Sequence, residues 1–132
     1  MKIFLILNGS IGRRFLSSLN YDYIKISGIC VNKKSNDFNY FQKFSKKNCF
    51  ELFDHKSIKS KKFKIWLSNN FIDLILNIFS FEIIPSDIIH IPKIGFFNLH
   101  PGKLPEYSGN FPGCRLKKPI FGIFNISDGI IS

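Results

Sequence analysis

Residues 2–7 read Lys-Ile-Phe-Leu-Ile-Leu, five large apolar side chains in a row with no polar residue at either alternate position. A strand whose side chains alternate between faces must then be covered on both. That points to a sheet enclosed between helices. The run stops at Asn8-Gly9-Ser10-Ile11-Gly12, beyond which Gly12, Phe15, Leu16 and Leu19 fall on one helical face and Arg13, Arg14, Ser17 and Ser18 on the other. Strand, glycine-containing turn and helix is the order. Such a turn presents backbone N–H groups at a helix N-terminus, where an anion is favoured. The spacing departs from G-x-G-x-x-G and no P-loop lysine follows, so neither a dinucleotide nor an ATP fingerprint is present. The turn reads as a structural connection or as an anion-facing one.

The same alternation continues. Residues 23–31 form a second β-favouring run, and Ser35 or Asn36 is placed to cap a helix in which Phe38, Phe41 and Phe44 share a core-facing stripe. A short third strand is predicted at 49–53, followed by Asp54-His55-Lys56 at its carboxyl end, where His55 reads as a solvated loop histidine or as a ligand contact. The 57–70 segment predicts a helix with Phe63, Trp66 and Leu67 inward and lysines 56, 59, 61, 62 and 64 on a solvated face. A fourth strand covers 72–79. Pro85 and Ser86 open a short helical turn that Pro92 closes, with His90 inside it as a surface or packing residue. The fifth strand covers 95–100. These spacings predict a mostly parallel sheet with helices on both faces and right-handed crossovers, in one domain over residues 1–132. Ligands of such sheets bind beyond the strands' carboxyl ends, where the loops at Asn8, His55, Ser80 and His100 open.

The chain carries 19 Lys and Arg against 9 Asp and Glu, a formal net charge of +10 that raises nucleic acid as a partner. Arginine, the better phosphate fork, occurs only at Arg13, Arg14 and Arg115, while Lys, Ile, Phe and Asn are abundant together. Those four have A/T-rich codons, so the lysine excess reflects base composition and nucleic acid is set aside as the partner. Cys30, Cys49 and Cys114 are widely spaced and lack a CxxC pair, which fits free thiols rather than a metal site or a disulfide framework. The first apolar run is shorter than a secretion-signal core of about 7–15 residues. The later apolar stretch 71–85 contains Asp73, Asn77 and Glu82, against a membrane span of about 20 residues. A soluble, cytoplasmic protein with no membrane partner is expected.

The chemistry concentrates at residues 94–109, where apolar residues lead through Asn98 and His100 into a Pro- and Gly-punctuated loop. Residues two apart on a strand share a face, about 6–7 Å apart. Asn98 offers an amide donor for a developing oxyanion, and His100 moves a proton near neutral pH. No serine sits in a nucleophile elbow and Cys114 has no evident base, so covalent catalysis has little support and the pair suits acyl transfer to a nucleophile brought by the substrate. A loop histidine bonded to backbone is the competing reading.

The segment Asn98-Leu99-His100-Pro101-Gly102-Lys103-Leu104-Pro105, followed by Tyr107-Ser108-Gly109, resembles the N-x-H-P-x-x-L-P and Y-x-G signature of the folate-dependent formyltransferases. These act on glycinamide ribonucleotide, methionyl-tRNA or sugar nucleotides. Residues 72–76, then Phe81, Ile84, Pro85 and Ile88, resemble the family's fourth strand and the turn after it. The resemblance implies a Rossmann-like three-layer fold, 10-formyltetrahydrofolate as donor, a primary amine as acceptor and no metal. It implies catalytic roles for Asn98, on the formyl oxygen, and His100, in proton movement. Folate contacts fall at Phe81, Ile84, Pro85, Leu104 and Pro105, and contacts to the amine substrate at Asn8, Gly9, Ser10 and Tyr107. Gly102 and Ser108 stand where the methionyl-tRNA branch commonly has Ser and Arg, which leans toward a nucleotide-linked amino sugar. The family also carries a catalytic aspartate in a D-x-G-D-like segment after the histidine. Here Asp128, in Ser127-Asp128-Gly129, is the only acidic residue after Glu106 and its context differs. The reading is a domain incomplete at its C-terminus, either transferring formyl groups or persisting as an inactive folate- or nucleotide-binding remnant.

Overall fold

The computed structural model describes residues 1–80 and 82–100 and the short strand Ile123–Asn125, with the backbone alone at His100 and in that strand. Six parallel strands form one sheet: β1 (Lys2–Leu7), β2 (Lys25–Val31), β3 (Glu51–Asp54), β4 (Leu74–Ile78), β5 (Gly95–His100) and β6 (Ile123–Asn125). Their spatial order is β3-β2-β1-β4-β5-β6. The chain runs outward from β1 to β3, then crosses back to β4 on the other side of β1. This is the doubly wound arrangement, and its switch point lies between β1 and β4.

Two apolar layers enclose the sheet, as the opening run requires. Phe4 and Ile6 of β1 pack with Ile75, Phe96 and the inward residues of α3 (Lys61–Asn69) and α4 (Ser86–Ile89). Leu5 and Leu7 pack on the opposite face with Ile29, Ile78 and Leu99, and with Leu16 of α1 (Gly9–Ser18) and Phe41 of α2 (Phe38–Asn48). Each fully buried side chain of this size contributes about 1.5–3 kcal/mol, so the β1 run alone anchors both layers. Phe38 and Phe44 flank Phe41 half-buried, as the stripe predicts.

Close approach is possible where side chains are missing. A Cβ at Gly12 would lie 2.9 Å from the Leu7 Cβ, so glycine lets α1 seat against the end of β1. A Cβ at Gly28 would lie 2.9 Å from the Trp66 ring and 3.1 Å from Phe4. Trp66 fills that space beside Phe53, ring centroids 4.8 Å apart.

Several predicted boundaries move, each for a local reason. Helix α1 begins at Gly9 directly after β1, with the Gly12 N–H on the Asn8 carbonyl at 2.9 Å, so the predicted five-residue turn is mostly helix. Cys49 does not begin a strand. It caps α2 in the left-handed conformation, its N–H returning to Ser45, and β3 starts at Glu51. The predicted 57–70 helix is two pieces, a 3-10 turn (His55–Lys59) and α3. Ser60 separates them because its hydroxyl accepts the Phe63 N–H at 3.1 Å, capping a new helix. Neither Ser35 nor Asn36 caps α2. Asp37 holds that position, and Ser35 instead accepts the Asp37 N–H at 3.2 Å within the preceding turn. Strand β6 is not among the strands expected from the sequence. No described helix is long and apolar enough to cross a membrane.

Candidate functional site

The carboxyl ends of β1, β4 and β5 lie side by side, and the residues that leave them are tied together. Asn8 follows β1, and its Nδ2 donates to the Phe79 carbonyl at 3.3 Å, linking positions 71 residues apart. The Phe79 N–H donates across to the Leu99 carbonyl at 3.3 Å, so Phe79 is held from both neighbouring strands. It needs to be, because its φ of +55° is a left-handed conformation costing a bulky side chain of order 1–3 kcal/mol. This reversal turns the chain sharply off β4 above the switch point.

Asn77 shapes the corner beyond β4. Its side chain is buried, with Nδ2 donating to the Ser80 carbonyl and Oδ1 accepting the Ser80 N–H, both at 3.3 Å. The Ser80 hydroxyl in turn accepts the Glu82 N–H at 3.3 Å. The Ser80 N–H and carbonyl and the Glu82 N–H are thereby paired within the segment. Ile84 drops into the core below, while Ile83 is exposed. Pro85, half-buried, starts α4 at φ −58°.

Asn98 lies beside Asn77 in the β4–β5 ladder. It is half-buried and, among the described residues, its carboxamide has no hydrogen-bond partner. Its neighbours Phe96 and Ile75 belong to the α3 and α4 side of the sheet, so Asn98 and Asn77 share that face. His100 closes β5, in register with Asn125 of β6. The spacing of the Asn and His along one strand is therefore as expected. Phe81, Leu104, Pro105, Tyr107 and Asp128 lie outside the described residues.

The start of α1 carries Gly9 half-buried and Ser10 exposed. A Cβ at Gly9 would lie 3.8 Å from Asp37 Oδ2, so a carboxylate flanks the helix N-terminus and opposes an anion there. Arg13 partly offsets it, bonding Asp37 Oδ1 at 3.0 Å while its guanidinium lies 4.3 Å from the centroid of the Tyr40 ring.

The largest departure from expectation is His55. It is buried, at 8% exposure, and its Nδ1 lies 3.1 Å from Glu82 Oε1. The solvated-loop reading fails because the residue opens the 3-10 turn and folds over the sheet's end, where the segment after β4 meets it. No sequence signal pairs positions 55 and 82. Nor does any mark the Asn77 clamp, apart from a polar residue inside an apolar strand. Cys30 and Cys49 carry free thiols, buried and exposed respectively, and burial pushes the Cys30 thiol far above its ordinary range, with the Asp54 and Glu82 carboxylates adding to the effect. Among the described residues no group of three or more His, Cys, Asp or Glu could hold a metal ion.

No family model matches the chain. It is 37% identical over 75 residues to the bifunctional polymyxin resistance protein ArnA of Wigglesworthia glossinidia brevipalpis, a match covering 57% of this chain and 12% of that protein. The chain thus spans a small fraction of the curated relative's length.

Proposed function

We propose that this chain is a formyltransferase-family domain that binds a folate one-carbon donor beyond the carboxyl ends of β4 and β5 and passes its formyl group to a primary amine. The match to the polymyxin resistance protein supports the general assignment to that family. The observation that carries the site is Asn98, a half-buried carboxamide without a partner among the described residues, next to the switch point of a parallel sheet. Exposed Ile83 offers an apolar contact for a flat heterocycle.

In this reading 10-formyltetrahydrofolate supplies an activated formyl group. Asn98 donates Nδ2–H to the formyl oxygen as negative charge develops on it, and His100 takes the proton the attacking amine must lose and returns it to the departing folate nitrogen. One C–N bond forms, one breaks and no electrons are exchanged. Orientation and a placed oxyanion donor each lower the barrier by several kcal/mol. Asn8, Gly9 and Ser10 face the amine substrate's polar end. The carboxylate of Asp37 beside Gly9 favours a hydroxyl-rich or cationic group over a bare phosphate at that point, in keeping with an amino sugar.

The test is calorimetric titration of the protein with 10-formyltetrahydrofolate, followed by a transfer assay over nucleotide-linked amino sugars and ribonucleotide amines that reads tetrahydrofolate release. Saturable binding with transfer lost in His100→Ala is expected. Binding without turnover identifies the inactive remnant, and absence of binding overturns the reading.

A further inference from the structure

Strands β3 and β4 are not neighbours, since β2 and β1 lie between them. Yet His55 at the end of β3 meets Glu82 in the segment after β4, 27 residues away in sequence. The contact therefore crosses over the carboxyl ends of two strands. It continues inward as a chain of bonds: Glu82 N–H to the Ser80 hydroxyl, and Ser80 N–H and carbonyl to the Asn77 side chain.

The imidazole makes this crossing a committed one. His55 Nε2 is fully buried and, among the described residues, has no hydrogen-bond partner, so the ring's polar contact there is the one to Glu82. Burying an unpaired polar atom costs about 1–3 kcal/mol, a penalty that an outward-swung, hydrated histidine would avoid. The side chain is held inward by its place at the start of the 3-10 turn, next to buried Ile58, and by the carboxylate that receives its Nδ1–H.

We propose that His55 and Glu82 form a positioning strap across the carboxyl edge of the sheet, fixing residues 79–80 and 82–85 in the conformation that receives a ligand at the β4–β5 end. The ligand's identity rests on the folate reading above; the strap itself does not. His55 and Glu82 are positioning residues that act through the backbone of this segment, Ile83 and Ile84 included.

Hydrogen–deuterium exchange of the amides of residues 79–84 and calorimetric titration with 10-formyltetrahydrofolate, on wild type, Glu82→Ala, Glu82→Gln, His55→Leu and the Glu82→Ala/His55→Leu double variant, test it. Glu82→Ala speeds exchange in this segment about 5- to 10-fold, the scale of one lost hydrogen bond, and weakens folate binding by a similar factor. Glu82→Gln, which still accepts from Nδ1–H, returns both to within about twofold. The double variant is no worse than the poorer single variant, as coupled partners require. Unchanged exchange in Glu82→Ala, additive singles, or faster exchange with unaltered folate affinity overturns the strap. Wild type that binds no folate overturns the folate reading, and the exchange data then decide the strap alone.

Discussion

Asn77 of β4 and Asn98 of β5 are register partners on one face of the sheet, one spent on the protein's own backbone and the other, among the described residues, unspent. Asn77 holds both polar groups of Ser80 in a buried corner. Asn77→Leu removes that clamp and leaves a buried N–H and carbonyl unpaired. Each orphan costs about 1–3 kcal/mol, so urea denaturation is expected to show a loss of about 2–6 kcal/mol.

Among the described residues Asn98 has no comparable internal duty, so Asn98→Ala is expected to leave stability within about 1 kcal/mol of wild type, as for other changes that break no buried contact. Formyl transfer in the same variant falls by about 10²–10³ in kcat, the usual effect of losing an oxyanion donor. His100→Ala lowers it by about 10²–10⁴, as for a general acid–base group. Folate affinity measured by calorimetry stays within a few-fold in both. Equal losses of affinity and turnover would instead identify these residues as binding contacts.

Trp66 occupies the room left by Gly28 and is enclosed by Phe4, Phe53 and Phe63. Gly28→Ala therefore overpacks a rigid aromatic cluster and strains the β2–β3 pairing at Glu51, whose carbonyl would lie 3.2 Å from the new Cβ. A loss of about 1–3 kcal/mol is expected, read by denaturant midpoint and by a change in Trp66 fluorescence.

Cys30 is fully buried, and burial holds its thiol protonated well above the ordinary range. An unfolded thiol ionises near pH 8.5. The native state then retains a proton that the unfolded state has lost, so stability is full below that pH and declines as pH rises above it toward the folded value. Cys30→Ala flattens this alkaline decline relative to wild type. In native protein the Cys49 peptide labels with iodoacetamide while the Cys30 peptide stays unlabelled until denaturant is added, a contrast that peptide mass spectrometry measures.

The sheet was legible because its signal is continuous and local. An unbroken apolar run such as residues 3–7 has one economical explanation, and the helical stripes at Phe38, Phe41 and Phe44 and at Phe63, Trp66 and Leu67 name the faces that cover it. That Asn98 and His100 lie on one strand was legible for the same reason, an apolar β-favouring run leading up to them. What escaped depends on contacts between distant segments. His55 looks like any loop histidine until Glu82 arrives across the sheet. Cys49 belongs to a β-favouring stretch, yet the preceding helix needed a left-handed terminus and took it. The Phe79 reversal is sustained by Asn8 and Leu99, one just past β1 and the other on β5.

The placement of β1 at the middle of the sheet has a consequence for how the chain is made. Its partner β2 comes within a few residues of the first helix, so one edge can be occupied early. Its other edge waits for β4, and the bonds that begin that pairing, between Lys2 and Asp73, span 71 residues. Until then a ribosome-bound chain displays the most apolar strand of the protein with an unsatisfied row of backbone groups, a template for pairing with a neighbouring nascent chain. Slow elongation through residues 60–75 would lengthen that exposure, so the span between β3 and β4 is where synthesis speed and chaperone access govern the yield of folded protein.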